Sequence, residues 1–154
     1  YGGINSQSVT ERLPDPSGAM GAIQRIMAND VSCLHVTPDF SLKPAERRLF
    51  PEIEKDIVPG DNPADDLKIR KTIAGLRSHL LDRHEAIDHA EVDRTFELFT
   101  AVVAEAGKRK DLDKRDSYHC GRIDGKRVGD PHYTLRGWRA VVTYLLRQPE
   151  FLYE

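Results

Sequence analysis

The sequence predicts an all-α fold, an irregular bundle of about four main helices with long connecting loops. Three observations lead there. Apolar residues recur at three- and four-residue steps in four separate stretches. Good capping residues precede several of them. No convincing strand and no internal repeat is found. At 154 residues, 39% apolar and 31% charged, the chain is long enough for one domain with a real core under a well-solvated surface.

The first helix is expected in "PSGAMGAIQRIMANDVSCL". Met20, Ile23, Met27, Val31 and Leu34 form its stripe, and Asp15 or Ser17 can cap its start. Val36, Thr37 and Pro38 should end it, because proline pushes the preceding residue away from helical angles. A short helix from Pro44 through Leu49 follows, and Pro51 and Pro59-Gly60 break what comes next. The second long helix starts behind Asn62, an N-cap with Pro63 in the first turn and Asp65 and Asp66 on the positive end of the helix dipole. Its stripe is Ile69, Ile73, Leu76 and Leu80, and mid-helix Gly75 invites a close helix contact. The third runs from about His89 to Ala106. Asp88 and Glu91 make a capping box, Val92, Phe96, Phe99, Val102 and Val103 face inward, and Gly107 is the C-cap. Lys108-Arg109-Lys110 reads as a solvated helix end. A long loop with three glycines occupies residues 117–134. The last helix begins at an N-cap Thr134, buries Leu135, Trp138, Val141, Val142 and Leu145, and stops at Pro149, with "EFLYE" as a short apolar anchor.

Charge narrows the partners. Lys plus Arg is 23 and Asp plus Glu is 25, a net of −2 with both signs interspersed. No basic field attracts nucleic acid, and no run approaches the ~18 apolar residues of a membrane span. The chain begins at Tyr1 rather than Met, so it is expected to be a processed product or a fragment of a larger protein, forming a single helical domain over residues 1–154.

The only cysteines, Cys33 and Cys120, each have a histidine within two positions, His35 and His119. Structural zinc sites usually pair cysteines two to four residues apart, and adjacent ligands such as His119 and Cys120 suit one tetrahedral ion poorly. Two separate buried thiols are a further alternative. A Cys33–Cys120 disulfide is the main expectation. It would tie the end of the first helix to the glycine-rich loop, stabilise the fold by about 4–5 kcal/mol and imply an oxidising compartment. His79, His84 and His89 are spaced at five residues, which turns a helix through roughly 140°, so they share no face. The pairs His84 with Asp88 and Glu85 with His89 have better spacing, but a solvated link between helices is the simpler reading. Asp124, Asp130, His132 and Tyr133 include an Asp-x-Gly turn but make no complete calcium loop, since alternating acids and the terminal Glu are missing. G-x-S-x-G, H-E-x-x-H, a phosphate loop and C-x-x-C-H are all absent. No catalytic, cofactor-binding or metal-ligating residue is assigned.

Three stretches, "YGGINSQSVTERLPDPSGAMGAIQRIMANDVSC", "ERRLFPEIE" and "GWRAVVTYLLRQPEFLYE", together resemble the C-terminal region of large exported bacterial proteins of planctomycete type. Those proteins are built from domains of unknown function and are often joined to c-type cytochrome domains. The resemblance spans most of the chain and is patchy over residues 51–66. It implies a periplasmic or extracellular setting and a non-catalytic accessory or docking module. The partner would be the remainder of the parent polypeptide or another envelope protein. Haem c would lie elsewhere in the parent, with no cofactor in this segment. The competing expectation is a metal-dependent enzyme or zinc-stabilised helical domain built on Cys33, Cys120, His35 and His119, or on the His84–His89 link.

Overall fold

A computed structural model describes residues 18–108 and 119–153. The fold is all-α, as expected. Four main helices, α1 (Gly18–Ser41), α2 (Pro63–Leu81), α3 (Ala90–Ala104) and α4 (Thr134–Leu146), are followed by the short α5 (Glu150–Tyr153). Helix α4 is the hub and packs against α1, α2 and α3. Its expected face, Leu135, Trp138, Val141, Val142 and Leu145, is fully buried. Trp138 sits at the centre, with the Phe99 ring 4.5 Å and the Phe50 ring 5.2 Å away. Phe40 stacks on the far side of Phe50 at 4.3 Å. The α3–α4 crossing is close because of Gly137. A Cβ there would lie 2.8 Å from two Phe99 ring carbons. Gly75, expected at a close contact, instead has open space around it.

Helix α2 begins as expected. Asn62 Oδ1 accepts from the Asp65 N–H at 3.0 Å, Pro63 occupies the first turn, and Ile69, Ile73 and Leu76 are buried. Leu80 is only partly buried, and its neighbour Leu81 completes the core face. The N-cap of α3 is His89 rather than Asp88. Its Nδ1 accepts from the Glu91 N–H at 3.2 Å, as the lone pair of an unprotonated imidazole nitrogen can. At the other end α3 passes through Glu105 into a 3₁₀ turn, Ala106–Lys108, and does not stop on a left-handed glycine. Asp15, Ser17 and the Arg109–Lys110 pair lie outside the described residues.

Helix α1 departs most from expectation. It runs past Pro38 to Ser41, although the missing proline N–H leaves the Leu34 carbonyl without its helical donor. The extra turn is fixed from outside. Both Asp39 carboxylate oxygens, buried, accept backbone N–H groups from Arg48 (2.8 Å), Leu49 (3.2 Å) and Phe50 (3.0 Å). These same bonds keep residues 47–50 from continuing as a helix, so only a 3₁₀ turn, Pro44–Glu46, forms where a short helix was expected. Arg47 then laces the irregular segment together, donating to the carbonyls of Leu42 (3.0 Å) and Ile53 (2.9 Å) and to Glu54.

The face α1 buries is also different. Ala28, Ser32, Val36 and Phe40 turn inward. Ser32 Oγ lies 2.7 Å from Thr143 Oγ1, and Gln24 Nε2 donates to the Leu146 and Gln148 carbonyls, each at 3.1 Å, satisfying the open C-terminal end of α4. Small and polar residues let the two axes approach. The larger apolar stripe faces away from α4.

Two further corrections concern the stretch before α4. The expected loop contains a small antiparallel hairpin, β1 (Arg122–Ile123) with β2 (Lys126–Arg127). Asp124 and Gly125 turn it with φ of 50° and 76°, the left-handed pair that a two-residue hairpin requires. The N-cap position of α4 is Tyr133 rather than Thr134, and since the Tyr133 side chain makes no cap bond, Asp130 caps the helix from outside. Its carboxylate accepts from the N–H groups of Leu135 (3.0 Å) and Arg136 (3.2 Å) and from the Arg136 guanidinium (3.1 Å).

Candidate functional site

The residues that α1 leaves outside form the clearest surface feature. Nine large hydrophobic side chains are exposed among the described residues. Five lie on α1 (Met20, Ile26, Met27, Val31 and Leu34) and a sixth, Leu42, directly follows it. Leu34 is 67% exposed and Met27 58%. Met20, Met27, Val31 and Leu34 keep helical spacing, so they make one stripe rather than scattered contacts. From Met20 to Leu34 it extends about 21 Å. Isolated exposed apolar residues need no explanation, whereas a concentration on one element marks an interaction surface.

The stripe opens into a cavity of about 620 Å³ whose walls include Val31, Leu42, Leu49, Leu80, Ile123 and Val142. Several separate pieces of chain thus converge beside α1. Cys33 and Cys120 hold one of them in place. Their sulfurs are bonded, with the alpha carbons 4.7 Å apart, and Cys120 lies in the turn leading into β1. The bond pins the hairpin, and with it Ile123, against α1. His35 sits on the cavity rim and is exposed. The His119 side chain lies outside the described residues. Joined to each other, the two sulfurs are not the thiolates that zinc binds, nor can either form a thioether to haem.

The histidine link contains structure of a different kind. Arg77 is buried, and its Nε and Nη2 grip both oxygens of Glu85, the second at 2.8 Å. The hydrogen bonds from Arg77 hold the Glu85 carboxyl below its ordinary range, and Glu85 in turn raises Arg77. Glu85 therefore serves the fold. Its Oε1 lies 3.9 Å from His89 Nδ1, which is itself used as a cap. His84 meets Ser78 and Asp82 rather than Asp88, at 2.9 and 3.2 Å. Asp130 is consumed by the α4 cap and Asp124 by the hairpin turn. Among the described residues no group of three or more His, Cys, Asp or Glu is placed to hold a metal ion, and no helix is long and apolar enough to cross a membrane.

Sequence reasoning found the stripe residues and assigned them to the core. It found the cysteine pair. It missed Asp39, Arg47 and Arg77, whose spacings in sequence carry no motif, and it considered Glu85 only beside His89, not as the partner of Arg77. Comparison of the chain with family models, with curated proteins and with solved structures finds no match.

Proposed function

We propose that this chain is a non-catalytic helical docking module of an exported protein whose haem c lies in another segment. The observation that carries the reading is the exposed apolar stripe of α1 running into a cavity of mixed, mainly apolar lining. Such a surface is costly to leave in water and is relieved by a partner. The first candidate for that partner is the remainder of the parent polypeptide, and the second is another envelope protein. The disulfide supports an oxidising setting such as the periplasm or the cell exterior. The polar side chains best placed by the fold, Asp39, Glu85 and Asp130, are all spent on backbone or guanidinium groups. That supports a binding role over a catalytic one.

The test is site-directed cross-linking. A photoreactive residue replaces Leu34 in the full-length parent, and the adduct is mapped by mass spectrometry. Cross-links from position 34 to another segment of the parent, lost in Met27→Glu, are expected. A parent in which position 34 reacts only with water, while position 73 in the core cross-links normally, would end the docking reading.

A further inference from the structure

A second surface, on the opposite side of α1 from the apolar stripe, has a different chemistry. A groove of about 700 Å³ runs along α4, bordered by Asn29 of α1 and Leu98 of α3. Its charged lining is Arg136, Arg139 and Arg147, with Tyr144 beside them, and no carboxylate lines it among the described residues. In a chain of net charge −2 with interspersed signs, three arginines along one groove, one of them paired with the buried Asp130, are a local departure. The three arginines follow from α4 itself. Its core face uses positions 135, 138, 141, 142 and 145, which leaves 136, 139 and 147 on the flank.

The arginines differ in how they are held. Arg136 is fixed by Asp130 and lies over the Tyr133 ring at 4.1 Å, so its position is set before anything binds. Arg139 is half-buried and makes contacts of its own. Arg147 is exposed at the C-terminal end of α4. A guanidinium keeps unused donors after one contact, and its planar fork suits carboxylates. Arg136 to Arg147 spans about 16 Å of helix axis, the reach of about five extended residues. Leu98 and Tyr144 supply apolar surface for the backbone and side-chain stems between the charges.

We infer that this groove binds an acidic peptide segment in extended form, its carboxylates paired with Arg139 and Arg147 and its register set by the immobile Arg136. The site is separate from the α1 stripe, so it does not depend on the docking reading.

Fluorescence anisotropy with a labelled six-residue Asp/Glu peptide tests it on the intact chain. Saturable binding is expected, weakening at least tenfold between about 50 and 200 mM salt because the contacts are charged. The matching Asn/Gln peptide should bind at least tenfold more weakly. R139Q/R147Q should lose at least tenfold, while Lys71→Gln on α2 should change nothing. If the double variant does not fold, Arg147→Gln alone, on an exposed side chain, should still lose threefold or more. Equal binding of the neutral peptide, unchanged affinity in Arg147→Gln, or inorganic phosphate competing as strongly as the peptide would each overturn the assignment.

Discussion

Replacing both cysteines by serine is the most quantitative perturbation the structure offers. The Cys33–Cys120 bond closes a loop with a sequence separation of 87. In the chain-entropy treatment, closing a loop of that length removes about 15 cal/mol/K from the unfolded ensemble, or about 4.6 kcal/mol at 25 °C. The serine double variant lacks that constraint but keeps the core around Trp138, so it is expected to fold and to be less stable by that order. At roughly 2–4 °C per kcal/mol for a chain of this size, the melting midpoint should fall by about 9–18 °C. Thermal melts followed by circular dichroism, paired with urea titrations, measure both quantities. The urea slope carries separate information. An uncrosslinked unfolded chain exposes more surface, so the slope should rise in the variant. Wild type should show no reactive thiol until it is unfolded and reduced, and reduction should reproduce the variant's melt. A midpoint within about 3 °C of wild type, with an unchanged urea slope, would refute the reasoning that the bond acts on the unfolded chain.

Four further outcomes are expected. Gly137→Ala should destabilise by about 1–3 kcal/mol by urea titration, since its methyl group collides with the buried Phe99 ring. Gly75→Ala, exposed in mid-helix with open space around it, should stabilise by about 0.5–1 kcal/mol in the same assay. Glu85→Ala strands the buried Arg77 guanidinium and should cost about 3 kcal/mol at neutral pH. Because the Glu85 pKa is lowered from 4.5 by folding, its contribution is complete above that value and is lost as pH falls through the lower folded one. Wild type and Glu85→Ala should therefore converge in stability on acidification below about pH 4.5, as read by urea titrations across pH. Asp39→Ala removes the acceptor for three backbone N–H groups and should cost about 2–3 kcal/mol, with the Pro44–Phe50 segment losing hydrogen-exchange protection first.

The sequence alone determined the helical class, the start of α2 at Asn62 and the buried face of α4, and it made the pairing of its two cysteines the main expectation. Each rests on local or exhaustive information. A cap is a side chain bonding to a backbone group a few residues away, an amphipathic face repeats within one helix, and two cysteines allow a single intramolecular bond. The α4 face was legible because α1, α2 and α3 pack on it and cover all five of the expected positions. The α1 face was not. Its spacing describes a stripe that ought to be buried, but whether a stripe meets core or water depends on which neighbour arrives. The neighbour is α4, and it takes the smaller face of Ala28, Ser32 and Gln24, which offers closer approach and hydrogen-bond partners for the end of α4. Only the tertiary structure decided that Met27 and Leu34 lie outside. It likewise decided the roles of Asp39, Arg77 and Asp130. A carboxylate's value depends on the donors folding brings within about 3 Å, and those donors belong to backbone whose position no local pattern encodes.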